Sequence, residues 1–98
     1  MPKATWNGAT LAEADSDAVR IVEGSVYFPP ESIDRTYLRE SRTQTICPVK
    51  GVAGYFDVVV EGEVNRDAAW FYPSPRAEAE EIAGYVAFWK GVTVEQDD

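Results

Sequence analysis

Hydrophobic and polar positions alternate along most of this chain in short runs separated by turn dipeptides, a pattern that predicts strands rather than helices. Ala4-Thr5-Trp6 is expected to be a first strand, closed by Asn7-Gly8, a dipeptide suited to a two-residue hairpin. Thr10 to Ala14 follows as a second short strand. Val19 to Val22 and Ser25 to Phe28 flank Glu23-Gly24 and predict another hairpin. Pro29-Pro30 should end it, since neither proline can donate to a ladder. Ser32 to Arg39 has no clear period; Ile33, Tyr37 and Leu38 suit either a helical turn or a packed loop. Arg42 to Cys47 is a Thr-rich strand halted at Pro48, and Lys50-Gly51 turns the chain. Gly54 to Val60 is the clearest strand of all. Glu61-Gly62 turns it into Glu63-Val64, which resumes as Asp67 to Tyr72 after an irregularity near Asn65-Arg66. Tyr85 to Trp89, a turn at Lys90-Gly91 and Val92 to Val94 complete the series.

One segment carries helix signals. Ser74 is a good N-cap, Pro75 suits the first helical position, and Glu78, Glu80 and Glu81 fall in the early turns. Ala79, Ile82, Ala83 and Val86 would share a face, and Gly84 fits the stop. The expected fold is therefore mainly β, two antiparallel sheets in a compact sandwich with one short α-helix over about residues 75–83.

Length and charge narrow the picture. Ninety-eight residues make a single domain over 1–98, with the acidic tail 95–98 expected to be disordered. The aromatic share of 12% offsets a thin core, because each ring buries a large area. A net charge of −8 repels phosphate backbones and anionic bilayers, so neither nucleic acid nor membrane is an expected partner. The chain shows no signal peptide and no apolar run long enough to span a bilayer, so a cytoplasmic location is expected. One cysteine and no histidine allow no internal disulfide and no structural zinc site; no metal and no cofactor are expected. The absence of histidine also removes the usual general base, leaving Cys, Lys, Tyr, Asp and Glu for any catalysis.

The densest chemistry lies in Thr45-Ile46-Cys47-Pro48-Val49-Lys50-Gly51, followed by Ala53 and Tyr55. Together with Trp6-Asn7-Gly8, Val22-Glu23-Gly24, Tyr27-Phe28-Pro29, Ala68-Ala69-Trp70-Phe71-Tyr72-Pro73 and Gly84-Tyr85-Val86-Ala87-Phe88, this run resembles the DUF427 family across almost the whole chain. The resemblance implies a β-tent-like fold of two antiparallel sheets, similar to small zinc-bearing domains but without their cysteines, and a cavity lined by the motif residues. It implies no known reaction. The family usually has an aromatic where this chain has Val49. It also carries a nucleotidyltransferase-like label, yet this chain has no paired-aspartate metal motif and no Gly-rich phosphate loop.

Six residues are candidates for a ligand site: Tyr27, Cys47, Lys50, Tyr55, Trp70 and Tyr72. Cys47 is also the candidate nucleophile, if Lys50 supplies the positive charge that lowers its pKa; a lone cysteine is more often a small buried hydrophobe. Lys50 is either a solvated turn residue or, as the resemblance suggests, a point charge for an anionic ligand. Alternation sets Tyr55, Asp57 and Val59 on one face and Phe56, Val58 and Val60 on a core face. Trp70 and Tyr72 share a side of their strand, where they are either core or the wall of a cavity near Tyr55. Tyr27 could close the same cavity, while Trp6 and Trp89 are expected to be sheet packing. Arg35, Arg39 and Arg42 interleave with Glu31, Asp34 and Glu40 and are expected to pair with them at the surface. The leading function is binding of a small polar or anionic ligand. The alternatives are a cysteine-dependent enzyme or thiol sensor, and a protein-interaction module without chemistry. The chain is expected to be a monomer or a homodimer.

Overall fold

A computed structural model describes residues 1–96 and shows a mainly β protein. Among these residues nine strands form three sheets. β1 (Lys3–Trp6), β2 (Ala9–Glu13) and β9 (Thr93–Glu95) make a small sheet in the order β2-β1-β9. β3 (Arg20–Val22) and β4 (Ser25–Tyr27) make a hairpin. β5 (Leu38–Cys47), β6 (Gly51–Val60), β7 (Glu63–Phe71) and β8 (Val86–Phe88) make the main sheet in sequence order. All strand pairs are antiparallel.

The hairpin turns form where the dipeptides predict them. Glu23 and Gly24 both have positive φ, 53° and 83°, the twist that joins two right-twisted strands over two residues. Asn7-Gly8 and Glu61-Gly62 repeat that pair of angles. The irregularity expected near Asn65-Arg66 is a bulge. Phe56 pairs with Ala69 but Val58 pairs with Asn65, so β7 carries the extra residues, and Asp67 there takes a φ of 53°. A matching bulge lies across β6, where Glu40 pairs with Phe56 and Gln44 with Gly54. The two bulges are tied together. Ser41 and Thr43 donate to the Asp67 carboxylate at 2.5 and 2.7 Å, and Asp57 accepts from the Asp67 amide at 2.9 Å.

Three expectations are corrected. First, there are three sheets rather than two. β3 and β4 are three residues each, and the prolines after Phe28 stop their ladder, so the backbone link from this hairpin to the main sheet is the single Phe28–Val86 bridge among the described residues. Second, the helix expected over 75–83 is a kinked pair of 3-10 turns, Ala77–Ile82, with Ala79 at φ −123° inside it. The segment is pinned at both ends by long-range bonds, Arg76 N–H to the Lys50 carbonyl at 2.8 Å and Gly84 N–H to the Tyr72 carbonyl at 3.0 Å. A spacing of three places Ala79 and Ile82 on one buried face, which is what 3-10 geometry provides. Third, Glu95, expected in a disordered tail, pairs with Lys3 in the β1–β9 ladder; Asp97 and Asp98 lie outside the described residues. The ambiguous segment after the prolines contains two 3-10 turns, Pro30–Ser32 and Arg35–Tyr37. The surface pairing expected there is also replaced: Asp34 caps Thr36, and Arg39 pairs with Asp57 at 3.0 Å.

The buried side chains fall into two clusters. The larger packs Leu11, Phe28, Phe56, Val58, Val60 and Val86 between the small sheet and the main one. The smaller gathers Tyr27, Ala53, Tyr72, Ala79, Ile82 and Ala87 at the other end of the main sheet. No helix among the described residues is long and apolar enough to cross a membrane.

Candidate functional site

The smaller cluster opens to a cleft of about 240 Å³. The register of the main sheet builds its wall. Tyr55 on β6 stands directly opposite Trp70 on β7, and Trp70 stands opposite Ala87 on β8. The Tyr55 hydroxyl meets the Thr45 hydroxyl on β5 at 3.0 Å. Tyr72 follows β7 and lines the same cleft. Tyr27 comes across from the end of β4, and its ring meets that of Trp70 edge-on, 6.1 Å between centroids. Trp70 Nε1 donates to the Tyr27 hydroxyl at 3.1 Å, which fixes both rings. Trp70 also meets Trp89, again edge-on, at 5.6 Å.

Lys50 sits in the turn between β5 and β6 and reaches into this cleft. It is 6% exposed, which is rare for lysine and demands a partner. Glu23, at the tip of the β3–β4 hairpin, supplies it: the Lys50 ammonium donates to Glu23 Oε1. That acceptor raises the Lys50 pKa above its ordinary value, outweighing the opposite effect of burial. Burial raises the Tyr27 and Tyr72 phenols, so both stay protonated at neutral pH.

Cys47 ends β5 and is partly exposed. Its sulfur lies 3.9 Å from Lys50 Nζ. The backbone N–H groups of Lys50 and Val49 donate to it, and this, more than the ammonium, holds its pKa below the usual thiol value.

The structure thus brings five of the six candidates, Tyr27, Lys50, Tyr55, Trp70 and Tyr72, to one cleft, with Cys47 at its edge beside Lys50. Asp57, on the same face as Tyr55 by alternation, does not line the cleft; it holds Arg39 and the Asp67 amide further along the strand. Sequence reasoning overlooks Glu23 and Ser25, which line the cleft from the hairpin. It also assigns Trp89 to sheet packing, whereas Trp89 is 45% exposed and lines the cleft. The available signal for Glu23 is its place in a motif beside Tyr27, although its partner lies twenty-seven residues further on. Among the described residues no group of three or more His, Cys, Asp or Glu is placed to hold a metal ion.

What the arrangement offers is chemical contrast: aromatic walls, three phenolic O–H groups, one buried ammonium and one exposed carboxylate. No curated protein matches the chain. The family model described as a domain of unknown function (DUF427) matches residues 2–98, and the chain belongs to that family.

Proposed function

We propose that this protein binds a small polar or anionic molecule in the aromatic cleft. One observation carries the reading: a nearly buried ammonium lines a cleft whose walls are Tyr27, Tyr55, Trp70 and Tyr72. A charge taken out of water stabilises a fold poorly, so its presence among aromatic rings is better explained by recognition than by packing. The rings contribute apolar contact area, and Lys50 contributes a directed charge. A thermal-shift screen against nucleotides, sugar phosphates, carboxylates and amino acids tests this. A compound of one chemical class should raise Tm in a dose-dependent way, since a ligand that binds only the folded state stabilises it by mass action. Lys50→Ala should weaken such a ligand by at least about tenfold while the protein stays folded. Unchanged affinity in that variant counts against the reading.

A second reading makes Cys47 a reactive thiol, in an enzyme or a sensor. It draws on the lowered thiol pKa, caused first by the Lys50 and Val49 backbone, and on the ammonium 3.9 Å from the sulfur. Alkylation should then be faster than for a free cysteine at neutral pH, with a midpoint below the ordinary thiol pKa of 9.0. The midpoint should stay low in Lys50→Met, because backbone donors come first among its causes. A rate equal to that of a free thiol rules this reading out.

A further inference from the structure

Glu23 changes what the cleft should select. Lys50 is not an open anion site, because the Glu23 carboxylate already holds its ammonium. A simple anion entering the cleft would take Lys50 from Glu23 and leave two negative groups side by side. The net charge of −8 adds to that penalty. A simple cation would meet the Lys50 ammonium. A ligand that carries both charges escapes both conflicts. Lys50 has three N–H donors, of which one serves Glu23 and another faces the distant Cys47 sulfur. Glu23 engages one carboxylate oxygen, and its side chain is 72% exposed. The ligand's carboxylate can therefore accept from Lys50 while its ammonium donates to Glu23. The four groups then form a square of alternating charge in which no ion loses its partner. The faces of Tyr55 and Trp70 suit the remainder of such a ligand, and an aromatic face also attracts an ammonium.

We propose that the cleft recognises a zwitterionic small molecule of the amino-acid type, with an apolar or aromatic side chain, and that Glu23 is the residue that sets this preference over simple anions. The proposal rests on the small-ligand reading above. The Glu23 side chain is exposed and lies outside both apolar clusters, so its removal costs stability only through the lost Lys50 pair, and Glu23→Gln keeps an oxygen acceptor for that ammonium.

Three probes of one shape test it by calorimetry: phenylalanine, 3-phenylpropionate, which lacks the ammonium, and phenethylamine, which lacks the carboxylate. Phenylalanine should bind about tenfold or more tighter than either truncated probe, a difference of about 1.4 kcal/mol. In Glu23→Gln the preference should reverse, with 3-phenylpropionate binding at least as tightly as phenylalanine. Glu23→Ala should behave alike, and thermal melts of both variants report that they are folded. Equal binding of 3-phenylpropionate and phenylalanine by the parent protein overturns the proposal and leaves the small-ligand reading standing. So does an unchanged ratio in both Glu23 variants. Failure of all three probes to bind also overturns it; the small-ligand reading falls with it only if the thermal-shift panel is blank as well.

Discussion

The two halves of β6 serve opposite purposes. Its second half sends Phe56, Val58 and Val60 into the larger apolar cluster, where they are 8%, 0% and 3% exposed. Its first half, with the turn before it, presents Tyr55 and Lys50 to the cleft. Burying the first set lowers the free energy of folding by about 25 cal/mol for each Å² of apolar surface removed from water. Burying Lys50 does the reverse unless Glu23 holds it, and even then an apolar residue of similar size would serve stability as well. One strand thus carries a half shaped for stability and a half whose composition stability alone does not account for. The contrast is the physical ground for placing function at the cleft.

Mutation should separate most sharply the two clusters that these halves face, at buried rings packed in each. Phe28 is 0% exposed in the apolar cluster, and Phe28→Ala should cost about 3–5 kcal/mol in chemical denaturation. On the cleft side, Tyr72→Phe should cost less than about 1 kcal/mol, because its hydroxyl bonds no other side chain among the described residues. A large loss from Tyr72→Phe would blur the distinction.

The boundary between the halves is the next point to break. At Gly54 an added Cβ would stand 2.8 Å from Phe71 Cζ, and the Phe71 ring is itself stacked on Phe56 at 4.7 Å. Gly54→Ala should lose about 1–3 kcal/mol by overpacking, read as a lower midpoint in urea. A neutral result would mean that the ring is free to move away.

The paired bulges should show themselves in acid. Hydrogen bonds from Ser41 and Thr43 hold the Asp67 carboxyl below its ordinary pKa of 3.8. A carboxyl depressed in the folded state contributes stability that is fully present above 3.8 and is lost as pH falls through the lower, folded value. Below about pH 4 the parent should therefore lose Tm faster than Asp67→Asn, whose side chain does not titrate. Parallel curves would remove Asp67 from the account. The smallest effect is expected at Arg20–Glu81, whose side chains are 40% and 62% exposed. Glu81→Gln should change stability by less than about 0.5 kcal/mol.

Sequence made the local features legible. Each Xaa-Gly hairpin dipeptide needs two positive φ angles, and Asn7-Gly8, Glu23-Gly24 and Glu61-Gly62 all adopt them. The core face of β6 followed from alternation, and so did the Tyr55–Trp70 pairing once a β6–β7 meander was assumed. The misses were non-local. Propensity favours a helix after Ser74-Pro75, but bonds from the Arg76 and Gly84 N–H groups to the Lys50 and Tyr72 carbonyls clamp the segment into 3-10 turns. The Lys50–Glu23 pair joins two turns far apart in sequence, and no periodicity encodes it. Asp57 keeps the alternation of β6, but Arg39 and the Asp67 amide in the bulge of β7 engage it away from the cleft, which alternation alone does not reveal.

The most direct test of the cleft is a nitrogen–proton NMR titration with the compound that raises Tm most. The indole N–H resonances of Trp70 and Trp89 and the amides of Glu23, Lys50 and Tyr55 should shift together, while the indole of Trp6, outside the cleft, stays in place. Shifts confined to Ser41, Thr43 and Asp67, or a panel in which no compound raises Tm, would contradict the account.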